Sequence, residues 1–209
     1  MKKRIFLSLI CGVLLIGLIT GCGNDTNTNS NNSTTNNNNE ATQNNESARY
    51  DKTFDFYGYT VAYASDCTMS VRTGGYTVTR NSDFWIVYST PSLFGEEFTV
   101  EGLDGIADKC SNSVIRSVQT LQQFFDGSAY TKVNVENETI KTINGNKMLR
   151  VEGTFINTSK NTTVEYIGYY LTTNIGGSEY PVYIIGIPLD AGFDGLAKYI
   201  DESVNYISR

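Results

Sequence analysis

The pattern of hydrophobic and polar positions divides the 209-residue chain into three parts. Residues 5–19 are almost entirely apolar, residues 24–47 are almost entirely polar, and residues 48–209 mix both kinds in short periods. In this third part, apolar side chains alternate with polar ones or recur every three or four residues, which are the periods of strands and helices. We therefore expect a single domain over residues 48–209, long enough to bury its own core without disulfides or a metal ion.

The first part of this domain has the pattern of short antiparallel strands. Tyr59, Val61 and Tyr63 occupy every second position, which predicts a first strand within residues 54–63. Three more strands are predicted at residues 68–72, 76–80 and 84–89. Glycine-rich and polar turns separate them, as in a meander in which consecutive strands pair.

A helical period follows these strands. Between residues 101 and 125, apolar residues recur every three or four positions, at Leu103, Ile106, Cys110, Val114, Val118, Leu121 and Phe125. One apolar stripe of this kind predicts an amphipathic helix that packs on a sheet. A second amphipathic helix is predicted near the end of the chain, at residues 190–207.

Long strands are predicted between the two helices, at residues 131–143, 148–157, 162–173 and 180–187. Asn144-Gly145 is the strongest hairpin signal in the chain. The last two of these strands are apolar on both faces, which is typical of strands in the middle of a covered sheet. We expect an α+β domain: an antiparallel sheet of about six or more strands with two main helices, at about residues 101–125 and 190–207.

This order of elements is similar to that of the PsbP/Mog1-like α/β/α domains. The similarity extends over roughly residues 54–209. The sequence from Gly58 to Tyr63 resembles the first strand of the family, although Ala64-Ser65 stand where the family has a proline. The resemblance implies a layered sandwich that binds or assembles with a partner rather than catalysing a reaction.

Residues 1–21 have the pattern of a secretory signal peptide, with a basic start and an apolar run shorter than the about 20 residues of a membrane span. The sequence Ile19-Thr20-Gly21-Cys22 resembles the lipobox of bacterial lipoproteins. The resemblance implies cleavage before Cys22 and a lipid on its thiol, which would hold the protein on the outer side of the cell membrane. An ordinary signal peptide with an incidental Cys22 and an uncleaved N-terminal anchor are the alternatives.

Residues 22–47 form a tether in this interpretation. Ala41 is the only apolar residue between positions 24 and 47, so little burial would offset the entropy lost on ordering. We expect a disordered Asn/Thr/Ser-rich spacer with a root-mean-square reach on the order of 30 Å. The composition, rich in Asn, Ile and Tyr, is typical of AT-rich genomes and indicates a Gram-positive bacterium.

Composition also narrows the chemistry. The sequence has no histidine, which excludes Ser-His-Asp and Cys-His nucleophile systems, HExxH zinc sites and histidine proton shuttles. The net charge is −6, although the signal peptide is basic, and an acidic domain argues against nucleic acid as a partner. We expect no cofactor, no metal ion and no catalytic residue, and contact with the membrane through the lipid on Cys22.

Cys67 and Cys110 are the two cysteines outside the signal peptide and the lipidation site. In an oxidising compartment they could form a disulfide that fixes the helix to the sheet. The alternative is a pair of free thiols in the core, where cysteine is among the most often buried residues.

Carboxylate pairs and aromatic residues are the remaining site candidates. Asp104 with Asp108 and Glu136 with Glu138 have the spacing of one helix face and one strand face, respectively. Such pairs support glycoside hydrolysis or hold a hard cation when they face a cleft, and otherwise are ordinary surface charge. Two helices cannot easily cover both faces of the sheet, so we also expect an open aromatic surface for a protein or carbohydrate partner. Its candidate residues are Trp85, Tyr88, Tyr166 and Tyr170; the alternative is that these rings build the core.

Together these features predict a membrane-tethered, extracytoplasmic, non-catalytic module of the cell envelope that binds or scaffolds an envelope protein or a wall polymer. The alternatives are a small-ligand-binding lipoprotein and a carboxylate-based hydrolase.

Overall fold

The computed structural model describes residues 49–121 and 130–209. The predicted signal peptide, Cys22, the predicted tether and the predicted helical residues 122–125 lie outside these ranges. The described helices are α1 (Ile106–Gln119) and α2 (Gly192–Ser203). The described strands are β1 (Lys52–Phe56), β2 (Tyr59–Tyr63), β3 (Thr68–Arg72), β4 (Gly75–Arg80), β5 (Phe84–Ser89), β6 (Lys132–Ile143), β7 (Asn146–Asn157), β8 (Thr162–Ile175) and β9 (Ser178–Pro188).

Seven of these strands form one antiparallel sheet in the order β3-β4-β5-β9-β8-β7-β6. The chain builds one half as the meander β3 to β5. It then passes through α1 to the far edge and returns as a second meander from β6 to β9, which pairs with β5. The expected α+β class, with an antiparallel sheet of six or more strands and two main helices, is confirmed for the described residues.

The central strands are buried on both faces. All six residues of β5 are buried, as are residues 166–171 of β8 and 181–187 of β9. Side chains on both faces of these strands therefore enter a core, which explains why the sequence of β8 and β9 lacks an apolar-polar alternation. The expected central position of these two strands is confirmed.

The predicted strand at Tyr59–Tyr63 is present as β2, but its expected place as the first strand of the meander is wrong. Residues 54–63 do not form one strand of the meander; Tyr57 and Gly58, at φ values of 49° and 82°, turn the chain back so that β1 pairs with β2. Two successive positive φ values are the geometry of a tight hairpin turn, which Asn-Gly or Asp-Gly more commonly occupies. The hairpin forms a separate two-stranded sheet.

The seven-stranded sheet lies between two hydrophobic cores. On one face, α1 packs on residues that include Trp85, Val151, Phe155, Tyr166, Tyr170, Tyr183 and Ile185. On the other face, the β1–β2 hairpin and α2 together cover residues that include Phe84, Ile86, Tyr88, Ile167, Tyr169 and Ile184. Both cores consist of residues between Tyr50 and Ile207, so this part of the chain contains the burial that an independent domain needs.

Helix α1 begins five residues later than the sequence predicted. Gly102 and Gly105 have φ values of 73° and 60°, and Gly105 is the N-cap residue. Left-handed backbone of this kind is incompatible with a continuous right-handed helix. Residues 101–105 are therefore a turn that precedes the helix and lies over one end of the sheet.

Candidate functional site

The four aromatic residues predicted to form an open surface are buried. Trp85 is 8% exposed, Tyr88 and Tyr170 are 1% exposed, and Tyr166 is 0% exposed. Tyr88 lies in the core under the hairpin, and the other three lie under α1. The prediction of an aromatic binding surface is wrong because α1 covers Trp85, Tyr166 and Tyr170, and the hairpin covers Tyr88.

Cys67 and Cys110 are free, buried thiols in different cores. The sulfur of Cys67 lies 3.3 Å from the hydroxyl oxygen of Tyr199, on the hairpin side of the sheet, whereas Cys110 faces the sheet from α1. The proposed disulfide is therefore wrong, because the sheet separates the two side chains. Burial raises the pKa of the Cys67 thiol and raises that of Cys110 to about 12, so both remain protonated at neutral pH and are poor nucleophiles.

Glu136 and Glu138 do not share a strand face. The register of β6 shifts at Glu136, and such a bulge changes which face the following side chains occupy. The carboxylate of Glu136 accepts a hydrogen bond of 3.1 Å from the hydroxyl of Thr154. Glu138 lies opposite Val151, on the α1 face of the sheet.

Asp104 lies in the turn before α1 and Asp108 in its first helical turn, so the two do not share a helix face as predicted. One member of each predicted pair, Asp104 and Glu138, lines the same cleft. The structure therefore brings together two carboxylates that the sequence had placed in different pairs.

This cleft lies where the sheet divides. Strands β7 and β8 pair as far as Leu149↔Tyr170 and then separate. Beyond this point, residues 146–148 continue to pair with β6, and residues 171–175 continue to pair with β9. We call the opening between residues 146–149 and Thr172 the fork cleft.

Side chains from the hairpin layer close the inner end of the fork cleft. The hydroxyl of Tyr59 and Nη2 of Arg209 both donate hydrogen bonds to the carbonyl oxygen of Thr172, at 2.6 and 2.8 Å. The guanidinium of Arg209 also lies 4.8 Å from the centre of the Tyr59 ring. Burial raises the pKa of Tyr59 and the charge of Arg209 opposes that rise; the phenol is thus a neutral donor at physiological pH.

The last residues of the chain connect the two halves of the divided sheet. Nδ2 of Asn144, in the β6–β7 turn, donates to the carbonyl oxygens of Asn205 and Ile207, at 2.7 and 3.2 Å. Ser208 then pairs with Thr60 of β2 through two main-chain hydrogen bonds. These contacts fix both sides of the fork cleft relative to each other.

The turn before α1 forms the opposite rim and is held by β9. The amide of Val100 donates to the carbonyl oxygen of Glu179 at 2.9 Å, and the amide of Gly102 donates to Oε2 of the same residue at 3.1 Å. The turn at residues 101–105 is therefore positioned by hydrogen bonds as well as by the packing of Leu103.

The fork cleft has a volume of about 650 Å³ and carries charges of both signs. Its acidic side chains are Glu101, Asp104, Glu138 and Glu179, and its basic side chains are Lys147 and Arg209. Such a lining can bind a polar ligand through ion pairs with either sign of charge.

Among these residues, the sequence had indicated only Asp104 and Glu138 as site candidates. The other four charged residues come from four separate parts of the chain, at Glu101, Lys147, Glu179 and Arg209. The local pattern of each part shows only a turn or a strand end. One signal was available, because three exposed glycines with positive φ mark two turns around the cleft: Gly102 and Gly105 in the turn before α1, and Gly145 between β6 and β7.

A second charged cluster fastens α2 to the sheet. Arg150 of β7 donates through Nε and Nη2 to the two carboxylate oxygens of Asp201, at 2.8 and 3.1 Å, and Tyr169 of β8 donates to the same carboxylate. Burial opposes ionisation of Asp201, but the hydrogen bonds from Arg150 and Tyr169 outweigh it and lower the pKa of Asp201. Its donors and acceptors satisfy one another, so this cluster has the features of a structural contact.

Within residues 49–121 and 130–209, no helix is both long and apolar enough to cross a membrane. The same described ranges hold no group of three or more acidic or cysteine side chains arranged to bind a metal ion.

No protein-family model matches the sequence, and no curated protein matches it. Among solved structures, the fold is similar to that of the cyanobacterial PsbP (CyanoP) of Synechocystis sp. PCC 6803, with 10% identity and a TM-score of 0.42 over 80% of this chain and 97% of that chain. It is similar to LpqN, which is involved in cell envelope biogenesis of Mycobacterium tuberculosis, with 11% identity and a TM-score of 0.40 over 72% of this chain and 83% of that chain.

A further similar structure is that of a protein from Bacteroides thetaiotaomicron VPI-5482, with 13% identity and a TM-score of 0.36 over 75% of this chain and 47% of that chain. The first of the three structures belongs to the PsbP proteins, the group that the order of elements in the sequence resembles. At these levels of identity and TM-score, the similarities assign no function to this chain.

Proposed function

We propose that this protein is a lipid-anchored, extracytoplasmic and non-catalytic binding module, and that it recognises its partner in the fork cleft. The observation that carries the proposal is the cleft itself, an opening of about 650 Å³ lined by charged side chains of both signs. Clefts of roughly 300–1,000 Å³ are the usual size of ligand sites.

The fork cleft is also held open by bonds within the domain. The Tyr59–Thr172 and Gly102–Glu179 hydrogen bonds fix its inner end and its rim. A site that is already in its binding geometry loses less conformational entropy when the ligand arrives. Recognition therefore requires no rearrangement of the sheet.

In this proposal, Cys22 carries the lipid and residues 22–47 form the tether. The described domain begins at Arg49, whose carbonyl oxygen accepts a hydrogen bond of 2.9 Å from the amide of Ser65 at the open end of the hairpin. Tyr59, by contrast, lies at the turn end of the hairpin. The attachment point and the fork cleft thus lie at opposite ends of the hairpin, which supports a cleft that stays accessible when the protein is tethered to a membrane.

Hydrolysis by Asp104 and Glu138 is a second candidate function, because these two carboxylates line the same cleft. Both side chains are exposed, whereas the acid of a two-carboxylate hydrolase lies in a desolvated pocket. Binding therefore fits the geometry better. Release of soluble fragments from purified cell wall, lost in a Glu138→Gln variant, would show that the protein is an enzyme.

A fragment screen tests the proposed function. The chain lacking residues 1–22 would be labelled with ¹⁵N and titrated with a library of small polar fragments. We expect the amides whose chemical shifts change on fragment binding to cluster around the fork cleft. These changes should disappear in the Ile140→Trp variant, because Ile140 is 63% exposed and lines the cleft, so that a larger side chain there narrows it.

The matched control is Val71→Trp, because Val71 is 72% exposed on edge strand β3 and lies away from the fork cleft. This variant should keep the shifts. Fragments that bind only elsewhere, or that bind the Ile140→Trp variant equally well, would overturn the fork cleft as the binding site.

A further inference from the structure

We propose that the fork cleft binds an extended peptide segment that carries a lysine or arginine side chain. The inference rests on the proposed function and specifies the chemistry of the ligand. It depends on the strand edges that meet at the cleft and on the charges around it.

The separation of β7 and β8 leaves two strand edges facing the fork cleft. Residues 146–148 and 171–175 each have a neighbouring strand on one side, and on the other side they lack the β7–β8 pairing that ends at Leu149↔Tyr170. Exposed strand edges are binding surfaces for extended peptides, which add main-chain hydrogen bonds to the sheet.

The carbonyl of Thr172 shows that the β8 edge accepts donors from outside the sheet. This group lies two residues beyond the last β7–β8 pair, and it accepts hydrogen bonds from the side chains of Tyr59 and Arg209. These two donors use both lone pairs of the carbonyl oxygen, so the main-chain amides of a peptide would bond to other main-chain groups of the edge at residues 171–175. The remaining guanidinium donors of Arg209 and the ammonium of Lys147 can in turn donate to the carbonyl oxygens of the peptide.

The carboxylates define the side chain that the peptide carries. Glu101, Asp104 and Glu138 are exposed, line the fork cleft, and take part in no ion pair among the described residues. A lysine or arginine side chain placed among them would form charge-assisted hydrogen bonds. Acidic groups at this position repel anionic lipid headgroups, which favours a peptide over a membrane surface.

Apolar side chains beside these carboxylates fit the stem of the same basic residue. Ile140, Leu149 and Leu103 line the fork cleft, and Ile140 is 63% exposed. Lysine and arginine bury their methylene groups on apolar surface while the charged head reaches polar partners. One basic side chain therefore accounts for both the exposed isoleucine and the neighbouring carboxylates.

Binding of capped peptides tests this inference. The probes would be two fluorescein-labelled libraries of capped hexapeptides, identical except that the third position is Lys or Arg in one and Glu or Gln in the other. Fluorescence polarisation with the chain lacking residues 1–22 should show at least about tenfold tighter binding of the basic library, which corresponds to one well-formed ion pair. Affinity should fall as salt is added.

Variants locate the binding site. Glu138→Gln and Asp104→Asn should each lower the affinity for the basic library at least about threefold, and the double variant should lower it further. Glu165→Gln is the matched control, because Glu165 is an exposed carboxylate on β8 remote from the cleft, and it should leave the affinity unchanged. Methylation of alternate peptide amides should also weaken binding about tenfold if main-chain hydrogen bonds are used.

The outcomes separate this inference from the proposed function. Equal binding of both libraries would contradict the inference that the ligand carries a basic side chain. An affinity for the basic library that is unchanged in the Glu138→Gln variant would contradict it as well. Unchanged binding of the methylated peptides would overturn the strand-edge geometry. If fragments bind the fork cleft but neither peptide library does, the peptide inference is wrong and the proposed function stands; if neither fragments nor peptides bind, both are wrong.

Discussion

Tyr59 donates a hydrogen bond of 2.6 Å to the carbonyl oxygen of Thr172, and this bond joins the outer hairpin to the main sheet where the sheet divides. In a continuous sheet, strand β7 would supply the next partner for that stretch of β8. Here a side chain from another layer supplies it, together with Arg209. The shape of the fork cleft is therefore set by contacts between layers rather than by strand pairing.

Replacing Tyr59 with phenylalanine tests this relationship. The substitution removes one buried donor and leaves the Thr172 carbonyl with Arg209, so we expect unfolding free energy to fall by about 1 kcal/mol. Urea unfolding of the chain lacking residues 1–22 measures the change. Tyr63→Phe is the control, because the described contacts of Tyr63 are ring contacts; an equal loss in both variants would contradict a stabilising role for the bond.

Trp85 reports whether the aromatic residues form core or surface. It is the only tryptophan in the chain, and it is 8% exposed under α1. Its fluorescence should therefore be blue-shifted and poorly quenched by acrylamide in the native protein, and red-shifted and quenched after unfolding. Trp85→Ala should lower stability by about 3–5 kcal/mol, because it removes a large buried side chain. Free access of acrylamide to native Trp85 would contradict the structure.

The two cores predict the redox state of the cysteines. Cys67 and Cys110 lie on opposite faces of the sheet as free thiols. The chain lacking residues 1–22, denatured without reductant, should therefore react with two equivalents of a thiol reagent. The native protein should react slowly, since both sulfurs are buried. If the denatured protein reacts with the thiol reagent only after a reductant is added, the two cysteines form a disulfide, which would contradict the structure.

Asp201 should make stability depend on pH in the acid range. Hydrogen bonds from Arg150 and Tyr169 outweigh the effect of burial and lower the pKa of Asp201 below its unfolded value of about 3.9. Its contribution is therefore present above about pH 4 and is lost as pH falls through the lower native pKa.

Asp201→Asn should reduce unfolding free energy at neutral pH by about 1–3 kcal/mol and remove this part of the pH dependence. Urea unfolding between pH 2 and pH 7 measures both effects. Asp51→Asn is the control, since Asp51 is exposed in front of β1. A variant with the wild-type pH dependence would show that Asp201 is not the group responsible.

The sequence predicted the regular parts of the fold because their periodicity is local. Strands β3 and β5 have the predicted bounds, and β8 and β9 are central as their two apolar faces indicated. The hairpin turn was missed because Tyr57-Gly58 adopts a geometry for which tyrosine is a weak signal. Without that turn, part of the cover of the second face was missing, and Tyr88 was assigned to the surface. Trp85, Tyr166 and Tyr170 were misassigned for another reason, because the sequence pattern does not show which strands α1 covers.

The fork cleft could not be predicted by the same reasoning. It depends on where β7 and β8 stop pairing, on a bulge at Glu136, and on a chain end that returns to Thr60. Each is a relation between residues far apart in sequence, and hydrophobic periodicity within one segment contains no information on it. Asp104 and Glu138 were selected for their charge, and only the fold shows that they share a site.

The proposed lipid anchor can be tested by replacing Cys22. If Cys22 is the attachment site, as the lipobox resemblance implies, Cys22→Ala should abolish incorporation of labelled palmitate and release the protein from the membrane fraction. Cys11→Ala is the matched control, because Cys11 lies within the apolar run of residues 5–19, and this variant should leave both labelling and location unchanged. Fractionation and labelling of whole cells measure the two effects. A Cys22→Ala protein that stays in the membrane fraction and keeps its signal peptide would indicate an uncleaved anchor, and one that is still labelled would place the lipid on another residue.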